Sequence, residues 1–404
     1  MYYKFPIITN INQVYDAIRD RKEFFVARKD DYLVVNYNVN FADTFPTPDT
    51  DDDVLNNNYL IRRECRGIIF DTKGNVIRRP YHKFFNWGER KETSNTRVDV
   101  SKPHFKLEKM DGSMLVPFFT NGKIRFGTKM GITDIANPVE DWVNSNLQYR
   151  TFSKKMIENG FTPIFEWCSR RQRIVIDYPV DRLVLTAIRN MVTGEYTSYE
   201  NMKEMGNMNN IEVVRSWDNG INDIDSFLEE TRNIRDMEGF VIRFNDGNML
   251  KVKADHYVQL HRTKDMMYFE KDVLALIVGE KIDDNKPYMD DESLTAINNY
   301  EIALHKAISD TAERLKWIVI AGKDNYNSKK DFAVKVVALH PQSNERSLLF
   351  SIWEKGEENA FGIVKDYILK NVGTQARVDE IRNLIGNVYW RQFYLSNSQD
   401  DEGE

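Results

Sequence analysis

Up to about residue 261, apolar residues come in short runs separated by turn-forming ones, a spacing that predicts strands more than helices. Tyr32-Leu33-Val34-Val35-Asn36-Tyr37 is such a run, as are 62–70, 163–167, 173–177, 183–188 and 238–244. A helix-like stretch at 14–25 precedes them, and the Pro- and Asp-rich segment 44–53 predicts an exposed loop. Asn121-Gly122 is a strong two-residue hairpin signal, and pairing Thr120 with Lys123 across it sets Lys129 opposite Met114. Asp246-Gly247 marks a second hairpin. With a type I′ turn there, Lys251 pairs with Ile242 and Lys253 with Phe240, and strand alternation brings Glu238, Lys251 and Lys253 to one face. Beyond His261 the rhythm changes, and 269–277, 294–320 and 361–369 carry apolar residues at helical spacing. The pattern therefore divides the chain into a β-rich domain, 1–261, a mostly helical one, 262–395, and a disordered acidic tail, 396–404.

The composition is that of an ordinary globular protein, with 41% hydrophobic and 29% charged residues. Net charge is -6, so no global positive field draws in a polyanion, and any site for one must be a local cluster of Lys and Arg. The acidic stretches 49–53 and 400–404 help mask such a cluster in the total. Two cysteines, Cys65 and Cys168, exclude a disulfide framework and a Cys-based zinc site. The start of the chain lacks the apolar core of a signal sequence, and no apolar run is long enough for a membrane span. A reducing, cytoplasmic setting is the default expectation.

The candidate chemistry lies in Lys109-Met110-Asp111-Gly112-Ser113, between an extended lead-in and the apolar run 114–119. Lys-x-Asp-Gly suits covalent capture of a nucleotide on the lysine amine. An amine attacks phosphorus only when neutral, and an ordinary lysine, titrating near ~10.4, is neutral for under about one per cent of the time at pH 7. Neighbouring cations and desolvation are needed to strip its proton. Lys129, Lys251, Lys253, Lys83 and Arg66 are the expected cations, and the same charges would neutralise a triphosphate. Gly112 is expected to let the backbone approach the ligand.

In this order the motifs resemble those of the covalent nucleotidyltransferase superfamily of ATP-dependent ligases and mRNA capping enzymes. Within it the chain resembles the RNA ligase 1 family of T-even-type bacteriophages. That resemblance implies an α+β fold, an adenylyltransferase domain of antiparallel β-sheets flanked by helices and then a mostly α-helical C-terminal domain. It implies Lys109 as the nucleophile, Glu166 in Phe165-Glu166-Trp167 as the ribose contact, and Glu238 in Met237-Glu238-Gly239 as a metal-assisting carboxylate. Lys251 and Lys253 would contact the α-phosphate. Arg66 in Glu64-Cys65-Arg66-Gly67, Lys83 in Tyr81-His82-Lys83-Phe84-Phe85-Asn86, and Lys129 in Thr128-Lys129-Met130-Gly131 would grip the triphosphate, with Tyr37 as a further nucleotide contact. Asp283 is the nearest counterpart of the acidic metal position in the family's C-terminal domain.

The activity implied is ATP-dependent joining of RNA 5′-phosphate and 3′-hydroxyl ends through lysyl-AMP and adenylylated RNA, with Mg²⁺ or alternatively Mn²⁺. Nicked tRNA is the expected kind of substrate, the helical domain a candidate for RNA or tRNA recognition, and the expected form a monomer in the cytoplasm, the host's if phage-encoded. Three competing readings remain on the same residues: a DNA ligase, a GTP-using capping enzyme, and an RNA-binding or assembly protein without turnover.

Overall fold

Alternation becomes strand wherever a partner is at hand, and the exceptions fall where a cap or a side chain claims the backbone first. The computed structural model describes residues 3–390 apart from 39, 40, 42, 218, 290, 327, 341 and 342, so the expected tail at 396–404 lies outside the described residues. The chain forms two units, Met1–Val258 and Gln259–Glu404. The first opens with α1 (Ile11–Ile18), β1 (Phe24–Arg28), β2 (Tyr32–Tyr37), α2 (Asp53–Glu64), β3 (Ile68–Asp71), β4 (Val76–Arg78) and β5 (Phe85–Asn86). It continues with β6 (His104–Glu108), β7 (Ser113–Thr120), β8 (Lys123–Gly127), α3 (Ala136–Ser145), α4 (Leu147–Glu158), β9 (Phe161–Cys168) and β10 (Arg182–Asn190). Then follow α5 (Tyr199–Met208), β11 (Ser216–Trp217), α6 (Ile224–Arg232), β12 (Gly239–Phe244) and β13 (Met249–Lys253), and α7 (Asp255–Met267) carries the division between units.

Three sheets result, ordered β1-β2-β3-β4, β10-β9-β7-β8 and β11-β6-β12-β13-β5. Neighbours are antiparallel except for the short β5–β13 pair, which is parallel. Two expected elements shift. The helix at the start ends at Ile18, and Asp20, with φ at 61°, turns the chain so that Phe24 already belongs to β1. Residues 62–64 are helical, because Asp52 caps α2 by accepting the Val54 and Leu55 N–H groups, and Arg62 and Arg63 suit its last turn. The loop at 44–53 is exposed only in its second half; Thr44 and Phe45 are buried, the Phe45 ring edge-on to Phe24 and Tyr37.

The hairpins divide too. Thr120 pairs with Lys123 as expected, with Asn121 and Gly122 both at positive φ. The second hairpin is slipped by one residue from the expected register: Val241 pairs with Lys251 and Gly239 with Lys253. Asn245, Asp246 and Gly247 make a three-residue loop, closed by Phe244 N–H to Asn248 O, and only Gly247 has positive φ. A type I′ turn needs it at both central residues, so the extra loop residue wins.

Helices α3, α4 and α5 cover the β10-β9-β7-β8 sheet over a core that includes Leu115, Phe126, Phe152, Phe165 and Met202. At the end of α2 lies a charged knot. Arg189 meets the buried Glu64 carboxylate with Nη1 and Nη2 each 2.7 Å from an oxygen, and Arg79 Nη2 reaches Oε1 at 3.1 Å. The arginines also donate to the Pro80, Gly194, Val192 and Pro6 carbonyls, tying α2, β4 and β10 to the start of the chain. Burial alone would push the Glu64 pKa up, but Arg189 and Arg79 outweigh it and hold it down at about 2.

In the second unit α8 (Glu270–Val278), α9 (Asp291–Asn325), α10 (Lys329–Lys335), α11 (Ser343–Lys355), α12 (Ala360–Asn371) and α13 (Gln375–Ile385) pack around an apolar stripe of α9 that includes Leu304, Ile308, Leu315 and Val319. The chain is thus α+β, with its sheets in the first unit and, among the described residues, only helices in the second. No helix among the described residues is long and apolar enough to cross a membrane.

Glu64→Gln should destabilise the protein by roughly 3 kcal/mol, because two buried guanidinium groups lose their counter-charge. Glu64's folded pKa lies below its unfolded value near 4.5, so its stabilisation is complete above pH 4.5 and lost as pH falls toward 2. Denaturant melts from pH 5 to 2 should therefore be steeper in pH for the wild type than for the variant.

Candidate active site

Lys109 follows the last residue of β6, and its own N–H donates to Gly239 O at 3.0 Å, fixing the loop to the start of β12. Its Nζ stands 2.6 Å from Glu238 Oε1, and Lys253 Nζ stands 2.9 Å from the same oxygen. In the observed register, strict alternation would send Glu238 to the opposite face from Lys253. The break comes at Gly239, where φ is +138° and a Cβ would land on the Val252 carbonyl. Glu238 meets Lys253 as expected, through that glycine and not through the expected register, and the second amine at its carboxylate is Lys109 where Lys251 was expected.

Asp111 is buried and acts as an anchor. Its Oδ2 accepts the Val175 and Ile176 N–H groups at 2.8 and 2.6 Å, and Oδ1 accepts the Tyr257 hydroxyl at 2.6 Å. The Tyr178 hydroxyl takes the Asp111 N–H at 3.1 Å. This explains why 173–177 does not become the expected strand: two of its backbone donors go to Asp111 instead of a ladder. Gly112 has a packing role as well. Its missing side chain makes room for the Trp167 carbonyl of β9, a packing need at a position that also lines the cavity.

A cavity of about 750 Å³ opens beside Lys109 and is lined by Tyr37, Arg66, Lys83, Lys129, Glu166, Lys251 and Lys253, all expected from the sequence. Lys129 does not pair with Met114. β8 ends at Gly127, Lys129 sits in a tight turn closed by Thr128 and Gly131, and Met114 pairs with Glu166. The Lys83 and Lys129 amines lie 5.4 and 5.7 Å from the Tyr37 ring centroid, so the ring serves two cations. Burial first, and then the charges of Lys83, Lys109 and Arg66, lower the pKa of Lys251 to about 7. Glu166 is pushed up to about 7, chiefly by burial; Lys109 opposes that rise and Glu238 adds to it. The expected ring of cations exists, but the direct partner of the Lys109 amine is a carboxylate.

Sequence reasoning missed Tyr257 and Tyr178, which meet Asp111 from far along the chain with no spacing to betray them. It also missed Arg243, a cavity-lining guanidinium donating to the Thr197 carbonyl. Arg78 was missed too, although an arginine closing an apolar strand run is a flag for a buried charge. Asp283 belongs to the second unit, where its exposed carboxylate pairs with Lys286 at 2.8 Å. Among the described residues no three Asp, Glu, His or Cys side chains converge to hold a metal. A metal at Glu238 would have to share that carboxylate with two amines and draw its other donors from bound substrate, as Mg²⁺ does when it binds through one or two carboxylates plus phosphate oxygens.

These features define an α+β domain that gathers positive charge around one lysine. Residues 64–261 match the family model for RNA ligase. A protein named "Putative RNA ligase" from Thermovibrio ammonificans is 33% identical over 254 residues, 60% of this chain and 62% of its own length. "RNA ligase 1" of bacteriophage TS2126 is 28% identical over 142 residues, 33% of this chain and 36% of its own. The chain thus spans under two thirds of the length of these curated relatives. Among solved structures, an archaeal ATP-dependent RNA ligase aligns over 63% of each chain at 14% identity with a TM-score of 0.42, too low to bear on the site.

As pH rises through 7, Lys251 loses its charge and Glu166 gains one, and both changes make the cavity less positive. Sulfate, whose own charge is constant in this range, should bind roughly tenfold more tightly at pH 6 than at pH 8, with a flatter profile in Lys251→Met. Calorimetric titration reads this, and equal affinities at the two pH values would count against the assignment.

Proposed function

We propose that the protein is an ATP-dependent RNA ligase that carries AMP on Lys109 and joins RNA 5′-phosphate to 3′-hydroxyl ends. The observation that carries the reading is the Lys109 amine held by Glu238 at the edge of a cavity that Arg66, Lys83, Lys129, Lys251 and Lys253 line. The match of residues 64–261 to the RNA ligase family model supports it, and a cavity of about 750 Å³ suits a nucleotide.

Lys109 must shed a proton to attack, and Glu238 Oε1 is an acceptor within hydrogen-bond reach. The neutral amine forms a P–N bond at the α-phosphorus as the α–β P–O bond breaks, and pyrophosphate leaves among the cations; the surplus N–H proton then passes to solvent. Lys253 keeps Glu238 engaged while Lys109 turns to phosphorus. Lys251 lies where it can stabilise charge on the α-phosphate oxygens. An oxygen of an RNA 5′-phosphate then takes the AMP, the P–N bond breaks and the amine regains a proton. Finally a 3′-hydroxyl attacks that 5′-phosphate, its proton is lost, and AMP departs. A divalent cation held by Glu238 and the phosphate oxygens, Mg²⁺ or Mn²⁺, would neutralise charge on the phosphates. Glu166 is proposed as the ribose contact and Tyr37 as a nucleotide contact. Repair of nicked tRNA is the proposed setting, with the helical unit as the RNA-recognising part.

Incubation with labelled ATP should give an acid-labile, alkali-stable adduct that GTP does not give and Lys109→Ala cannot form. Circularisation of a 5′-phosphorylated oligonucleotide should proceed with RNA and fail with DNA. End joining that persists unchanged in Lys109→Ala would sink the reading.

A further inference from the structure

Arg78 is wholly buried at the end of β4, and the structure provides it with backbone oxygens instead of a carboxylate. Nη2 donates to Gly67 O at 2.9 Å and Thr128 O at 2.8 Å, Nη1 reaches Val116 O and Gly127 O at 3.3 Å each, and Nε adds a 3.3 Å contact to Gly67 O. Its guanidinium carbon lies 4.9 Å from the centroid of the Phe118 ring. The carbonyls it gathers are not scattered. Gly67 directly follows Arg66, and Thr128 directly precedes Lys129. Asn36 Nδ2 adds a bond to Lys129 O at 3.2 Å, and Gly67 N–H is fixed to Val35 O at 2.9 Å. One guanidinium thus joins the two turns that carry two of the cavity's cations, although they belong to different sheets.

Burying an unpaired cation is costly, and an apolar side chain of similar volume would hold two sheets together at less expense. What an apolar residue cannot do is hold carbonyl groups of both turns, together with those of Val116 in β7 and Gly127 at the end of β8, which the flat five-donor fork does. We propose that Arg78 is a positioning residue that sets Arg66 and Lys129 at the spacing needed to grip the triphosphate of the incoming nucleotide. This rests on the function proposed above. Arg78 acts only through those two side chains, so its influence falls on the step that uses a triphosphate. Sealing of RNA that already carries AMP on its 5′-phosphate has no triphosphate to hold and should be spared.

The test compares the full-length wild type with Arg78→Lys and Arg78→Met in two half-reactions, lysyl-AMP formation from ATP and joining of pre-adenylylated RNA. Lysine keeps a positive charge but not the fork. Arg78→Lys should raise the ATP concentration for half-maximal lysyl-AMP formation about tenfold, and leave joining of pre-adenylylated RNA within about twofold of wild type. Arg78→Met should show the same split, larger in size. Equal losses in both half-reactions, no loss in either, or failure of both variants to fold would each overturn the inference and leave Arg78 a purely structural staple. A wild type that forms no lysyl-AMP would instead remove the proposed function, and this inference would fall with it.

Discussion

Arg66, Lys83, Lys109, Lys129, Lys251 and Lys253 can line one cavity only if something offsets their mutual repulsion. Glu238 does much of this, with one carboxylate oxygen accepting both the Lys109 and the Lys253 amine. The Tyr37 ring takes a second share through the Lys83 and Lys129 amines, and burial relieves the rest by drawing Lys251 toward neutrality. Those arrangements hold a polyanion's worth of positive charge in readiness within a chain whose net charge is negative. They also explain why Glu238 must turn back across its strand at Gly239: on the far face it would leave two amines without an acceptor.

Two buried charges of opposite sign do comparable work on the main chain. Asp111 is an anion fed by backbone N–H groups, and Arg78 is a cation fed by backbone carbonyls. Each satisfies loop groups that a ladder would otherwise satisfy, and each freezes a loop beside the cavity. The Glu64 knot with Arg79 and Arg189 holds a third region, the segment leading to Lys83.

Much of this was readable from the chain. Strand β2 keeps the bounds that alternation assigns, the Asn121-Gly122 hairpin keeps its register, and the expected site residues of the first unit other than Glu238 line a single cavity. What was not readable depends on competition between close alternatives. A two-residue and a three-residue reading of Asn245-Asp246-Gly247 differ by one residue, and backbone angles, invisible in composition, decide between them. Residues 173–177 look like a strand because their apolar content is strand-like; Asp111, far back in sequence, claims their donors. Long-range bonds made by side chains leave no periodicity, so Arg78 and Tyr257 could not be found by spacing.

The bond from Lys109 N–H to Gly239 O and the locking of Asp111 leave the lysine's main chain nowhere to go. Whatever becomes attached to that nitrogen rides on a short tether of four methylenes whose base is nailed down. Cargo on such a leash cannot travel to a distant workplace, so under the proposed function every partner would have to be delivered to the same doorstep.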